Sequence, residues 1–221
     1  MYVVGIDGSF SNAGMTVMNY DENSNTIIGI DFYNIKGGLF KHEVKGKIKA
    51  DKGFTSHYLA SKLSANAILS IIKATIKDEK CSVVIEYPVL GGNWAVGLAM
   101  LDVTIATYLE LIGLKPYFIT PRAKATLFNI KGKEKSRVRE VGEKIINNFI
   151  EKHSLVLYNQ ITITNMNLHK QTVKRLEKHS SSKYLVTDDI AESLFMALAV
   201  IKNEFDVELY PLHNFRKTLF K

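Results

Sequence analysis

The chain alternates short apolar runs with polar breaks, and the runs follow two different periods. Residues 2–7 are apolar around Gly5 and stop at Asp7-Gly8-Ser9. Gly14-Met15-Thr16-Val17-Met18 reads as a second strand. The cluster Asp21-Glu22-Asn23-Ser24-Asn25 is a turn, and Thr26–Ile30 and Phe32–Ile35 are strand-like. Neighbouring strands joined by tight turns predict an antiparallel meander. From His57 the period becomes helical, with Leu59, Leu63, Ala67, Ile68, Ile71 and Ile72 on one face. Ser82-Val83-Val84-Ile85-Glu86 is then a continuous apolar strand, the kind covered on both faces of an α/β sheet.

Gly91-Gly92 breaks the chain before a helix over about residues 95–111, closed by Gly113. It is apolar almost all round, which predicts deep burial or a place at a subunit interface. Pro116–Thr120 is the next strand. A third helix near 134–152 turns Val138, Val141, Ile145 and Phe149 to a core, and a last one runs from about 188 to 203. The order predicts an α/β fold, a mixed sheet with helical cover. Two stretches resist assignment. Residues 36–52 hold six lysines, two acids and three glycines, and read as a loop or basic flap. Residues 154–186 combine strand-like Ile161–Thr164 with a polar, basic run, and read as irregular or inserted.

The 221 residues fit one domain, with insertions near 36–56 and 154–186. The net charge of +7 suits a polyanion. Cys81 is the only cysteine, so no intramolecular disulfide forms; it is expected to be a buried structural thiol, and no Cys/His cluster offers a zinc site. The N-terminus lacks a basic leader, and no uninterrupted apolar stretch is long enough to span a bilayer. An intracellular, cytoplasmic protein without membrane contact is expected.

The chemistry lies in where the acids fall. Asp7 ends one apolar strand, Glu86 ends another, and Asp188-Asp189-Ile190-Ala191-Glu192 opens the last helix. Charge at the tip of a buried strand is costly unless it is paired or binds a cation. Asp189 and Glu192, three residues apart, share a helix face, while Asp188 points elsewhere. Each has a plainer explanation: a turn at Asp7-Gly8, a strand end at Glu86, a helix cap at Asp188 or Asp189. Jointly, Asp7, Glu86, Asp189 and Glu192 predict a shared metal site of hard carboxylate ligands suited to Mg²⁺ or Mn²⁺. Two such ions can activate water and relieve leaving-group charge in phosphodiester hydrolysis.

These blocks resemble the RuvC family of Holliday junction resolvases, of the ribonuclease H-like superfamily. The matching segments are Gly5-Ile6-Asp7-Gly8-Ser9, Val83-Val84-Ile85-Glu86, the basic stretch Pro121–Val138, and Asp189-Ile190-Ala191-Glu192-Ser193-Leu194. The resemblance implies a ribonuclease H-like mixed sheet, an antiparallel meander plus parallel strands covered by helices. It implies a crossover junction endodeoxyribonuclease: a homodimer that binds four-way DNA junctions and makes paired nicks with two Mg²⁺ or Mn²⁺ ions per site, leaving 5′-phosphates. Asp7, Glu86 and Asp189 match family acids, and Glu192 replaces the usual second aspartate of the last helix. Lys124 and Lys135 match family lysines that contact DNA or phosphate at the site, Lys135 with a catalytic role. In its divergence the chain is similar to virus-encoded members, which act in the host cytoplasm. Val89 stands near where bacterial members present a junction-contacting aromatic; Tyr87 or Trp94 could serve instead.

Residues 121–139 carry seven Lys/Arg and one acid. Lys124, Lys131, Lys133, Lys135, Ser136 and Arg137 are the expected DNA contacts there, since lysines beside carboxylates offset repulsion of phosphate. Lys41, Lys45, Lys47 and Lys49 form a second basic stripe, and Lys170, Lys174, Arg175 and Lys178 a third; either reads equally as solvated surface. Two other functions fit parts of the chain. The Gly5–Ser9 turn also opens actin-like and sugar-kinase-like phosphotransferases, although those need two lobes. The Glu192 substitution suits a junction-binding protein without catalysis.

Overall fold

The structure is a computed structural model that describes residues 1–37, 41–50, 53–87, 95–128, 135–152, 156–164, 168–175, 187–202 and 210–211. Its first three strands are β1 (Tyr2–Asp7), β2 (Asn12–Asp21) and β3 (Thr26–Lys36), each antiparallel to the next, so the expected meander is present. The two segments read separately around Asp31 form one strand, β3. A long helix α1 (Phe54–Ile76) leads to β6 (Cys81–Glu86), which lies parallel to β1 on its other side. Helix α2 (Ala95–Leu111) returns the chain to β7 (Tyr117–Ile119), parallel to β6. Then come α3 (Pro121–Leu127), α4 (Lys135–Lys152) and the final helix α5 (Asp188–Lys202).

Two stretches differ from the sequence reading. Residues 36–56 contain a hairpin, β4 (Lys41–Val44) and β5 (Lys47–Ala50), paired separately from the main sheet. Positive φ at Lys45 (52°) and Gly46 (71°) suits its two-residue turn, a signal hidden by the lysine-rich composition. Within 154–186, β8 (Val156–Thr164) and β9 (Leu168–Arg175) extend the sheet beyond β3, β8 running parallel to β3. With a short β10 (Tyr210–Pro211), the order is β10-β7-β6-β1-β2-β3-β8-β9. The basic composition of β9 disguises an edge strand.

Strand β1 is buried on both faces, as its unbroken apolar run requires. Val4 and Ile6 pack with α1 and α2, whereas Val3 packs with α4 and α5. Helix α1 has the length and composition of a membrane span, contrary to the sequence reading. It buries Ala60, Ala65, Ala67, Ile68, Ile72 and Ile76 in the core and exposes Lys62 and Lys73, as a core helix does. Helix α2 buries Leu101, Ile105 and Leu109 but exposes Val96 and Leu111 at its ends. Cys81 is the structural thiol expected; burial pushes its pKa up to about 12.

What positions the last helix is the absence of two side chains. A Cβ on Gly5 would fall 2.0 Å from the Ser193 carbonyl oxygen, and one on Gly14 2.1 Å from that of Asp189. The backbone of α5 therefore rests directly on β1 and β2. A buried hydrogen bond of 2.8 Å between the Thr16 and Ser193 hydroxyls holds that placement. Gly14→Ala should push α5 off the sheet and destabilise the protein by ~1–3 kcal/mol. Thermal melts would show a fall of roughly 2–4 °C for each kcal/mol lost. An unchanged melting temperature would mean that the backbone contact is not tight.

Candidate active site

The acids come together at one end of the sheet. Ile6 pairs with Ile85, so Asp7 and Glu86 leave neighbouring parallel strands side by side. Asp7 also pairs with Gly14, over which the first turn of α5 lies. Asp189 and Glu192 thereby join the same cluster, and Glu86, Asp189 and Glu192 all act electrostatically on Asp7. Asp188 turns away: its Oδ1 accepts from Arg139 of α4, with Nη2 at 2.9 Å. The helix is capped instead by Thr187, whose hydroxyl accepts from the Ile190 amide at 3.2 Å. Neither Asp188 nor Asp189 is therefore needed as the cap.

Lys124 occupies the middle of the cluster. It sits on α3 and is 3% exposed, with Nζ 2.7 Å from Glu86 Oε1 and ion-paired to Glu192. Expected from the resemblance as a lysine that contacts DNA or phosphate at the site, it lies among the acids as their buried counter-ion. Burial opposes its charge, but Glu86, Glu192 and Asp7 together raise its pKa. Asp7 is held well above the ordinary carboxylate range, first by burial and then by the Glu86 charge, with Lys124 opposing. Burial also raises Glu192, again against Lys124.

Four carboxylates thus face one ammonium, and the excess negative charge suits a divalent cation. With Lys124 between Glu86 and Glu192, no three acidic, His or Cys side chains among the described residues form a ready ligand cage. The donors are nonetheless all hard carboxylate oxygens around a shared cationic position. That chemistry fits Mg²⁺ or Mn²⁺, with Asp7, Glu86, Asp189 and Glu192 as the residues able to hold it.

The other expected contacts divide. Lys131 and Lys133 lie outside the described residues, as do Val89 and Trp94. Lys135, Ser136 and Arg137 form the first turn of α4. Tyr87 packs edge-on against Phe118, 6.3 Å between centroids. Sequence reasoning missed two residues. Asn12, at the start of β2, donates from Nδ2 to Asp189 Oδ2. Asp102, the one acid buried within apolar α2, has its carboxyl against Gly8 and feels the charge of Glu86. An acid inside so apolar a helix was the available signal.

No protein-family model matches this chain, and no curated protein matches it in sequence. Solved structures do. The Thermus thermophilus RuvC structure superposes with a TM-score of 0.53 at 12% identity, covering 96% of this chain and 99% of that one. T. thermophilus RuvC in complex with Holliday junction substrate gives 0.52 at 10% identity, over 96% and 99%. The yeast mitochondrial Holliday junction resolvase gives 0.51 at 12%, over 90% and 77%. What is shared at these identities is the fold: the chain is built on the ribonuclease H-like plan of the RuvC-type resolvases.

The strained charge at Asp7 has a measurable consequence. Because its folded pKa is raised, the stability this group contributes is complete below the ordinary aspartate range. It is lost as pH rises through the raised value. Asp7→Asn removes that loss. In chelator at about pH 8 the variant should melt above the wild type, by roughly 2–4 °C per kcal/mol relieved. At about pH 3 the two should converge, since Asp7 is then protonated in both states. Lower melting of the variant at pH 8 would count against a destabilising charge at Asp7.

Proposed function

We propose that this protein is a divalent-metal-dependent endonuclease that cuts four-way junctions or related branched DNA. The observation that carries this reading is the convergence of Asp7, Glu86, Asp189 and Glu192 around Lys124 on a resolvase-type fold. That a structural relative was captured with a Holliday junction supports the choice of substrate. Mg²⁺ or Mn²⁺, two ions per site in this reading, would supply an activated water and offset charge at the scissile phosphate.

The chain's own residues then divide the work. Asp7, Glu86, Asp189 and Glu192 hold the cations, and Asn12 orients the Asp189 carboxylate through its amide. Lys124, freed from Glu86 and Glu192, keeps a positive charge beside the anionic phosphate. Water attacks phosphorus as the bond to the 3′ oxygen breaks; the departing oxygen takes a proton, leaving a 3′-hydroxyl and a 5′-phosphate. Lys135, Ser136 and Arg137 open α4, a helix N-terminus suited to phosphate, and Lys135 is the second lysine assigned to the reacting strand. With Lys131 and Lys133 of the same connector, and the exposed Lys45, Lys47 and Lys49 of the hairpin, they grip the DNA backbone without reading bases.

Paired nicks need two sites, which a two-fold dimer supplies; the exposed ends of α2 are the candidate contact. The reading places the protein in the cytoplasm, where branched DNA would be met. The purified protein should nick a synthetic four-way junction in Mg²⁺, with cuts on two opposed strands, and Asp7→Asn should reduce cutting to background while remaining folded. Failure of the folded protein to cut branched, single-stranded or linear DNA in either Mg²⁺ or Mn²⁺ would reject the proposal.

A further inference from the structure

Asp102 has no structural task that the fold accounts for. It is the eighth residue of the seventeen in α2, far from either end, so it caps nothing. It is 4% exposed, and its Oδ1 is fully buried without a hydrogen-bond partner among the described residues. A carboxyl withdrawn from water with no compensating donor is expensive, and such a group in a folded protein calls for a functional explanation.

Its surroundings supply one. A Cβ on Gly8 would lie 2.3 Å from Asp102 Oδ1, so the carboxyl fills the space left by the missing side chain directly after Asp7. Glu86, the acid at the tip of β6, is the charge that acts on it, after burial itself. Lys124 is turned to Glu86 Oε1 and to Glu192, and among the described residues no ion pair reaches Asp102. The Asp102 carboxyl therefore sits against the tip of β1, within electrostatic range of Glu86. Strands β1 and β6 pack Val4, Ile6 and Ile85 on the α1–α2 side and Val3 and Val84 against α5 or its neighbours. Asp102 thus comes from the sheet face opposite to the one that delivers Asp189 and Glu192.

We propose that Asp102 is a fifth carboxylate of the metal site, offered to the divalent cation from the α2 side, next to Glu86. This inference rests on the metal-nuclease reading and extends its ligand set. Gly8 has a defined part in it: any side chain there would expel the Asp102 carboxyl from the tip of β1.

The test is equilibrium binding of Mn²⁺ to the full chain without DNA, followed by the electron paramagnetic resonance signal of free Mn²⁺. The wild type should bind Mn²⁺. Asp7→Asn and Asp102→Asn should each weaken binding, the latter by about 10-fold or more. In chelator, Asp102→Asn should melt no lower than the wild type, because it removes a buried carboxyl; a folded protein with weaker Mn²⁺ binding supports the proposal. If Asp102→Asn does not fold, Asp102→Ser serves in its place, with the same loss expected. Wild-type affinity in the folded Asp102 variant, alongside loss in Asp7→Asn, would overturn the role of Asp102 and leave the metal reading intact. Absence of Mn²⁺ binding by the wild type would overturn both.

Discussion

The contact between the backbone of α5 and the bare backbone of β1 and β2 governs the site. Two of the four converging acids arrive on that helix, and they reach Asp7 only because Gly5 and Gly14 leave no side chain in the way. Helix axes normally stand about 10 Å from a sheet, held off by side chains on both surfaces. Here backbone meets backbone between Asp189 and Ala197, the stretch that also carries Glu192. The Thr16–Ser193 hydrogen bond lies under that turn and satisfies two buried hydroxyls that would otherwise count against it. Close approach and polar satisfaction together fix the helix in register with the strand tip.

Bringing the acids together has an electrostatic cost that the protein meets from within. Lys124 lies in the cluster as an internal counter-ion, on a short helix that starts just after β7, the strand beside β6. Burial raises the Asp7 and Glu192 carboxyls above their ordinary range, and a single ammonium opposes the shift without cancelling it. The metal-free state is therefore poised: burial favours protonated acids, whereas a divalent cation favours ionised ones. Such a cluster is a poor way to stabilise a fold and a good way to hold a cation.

Much of this could be read from the sequence, for identifiable reasons. Strand β1 and strand β6 announce themselves because both faces are covered, leaving an uninterrupted apolar run that a terminal carboxylate punctuates. Asp189 and Glu192 are legible from helical spacing alone, as is the divergence of Asp188. The hairpin β4–β5 and strand β9 are not, because their lysines mask strand period with the composition of a loop, and backbone pairing decides instead. The burial of Lys124 is hidden for a related reason: within a basic run no local pattern marks a lysine that turns inward. Whether a residue such as Asn12 meets Asp189, 177 positions away, depends on strand register, which no local pattern carries.

A likeness in fold over 96% of the chain at 12% identity means that most superposed positions carry different residues. Apolar cores tolerate such exchange when volume and pattern are kept. The site depends instead on positions where backbone meets backbone or where carboxyls gather. Gly5 and Gly14 admit the helix, Gly8 admits Asp102, and the acids at the strand tips need one another within electrostatic range. None of these residues adds much to the hydrophobic core. The fold supplies a rigid frame of exchangeable side chains, and a handful of missing or charged ones turn its edge into a site.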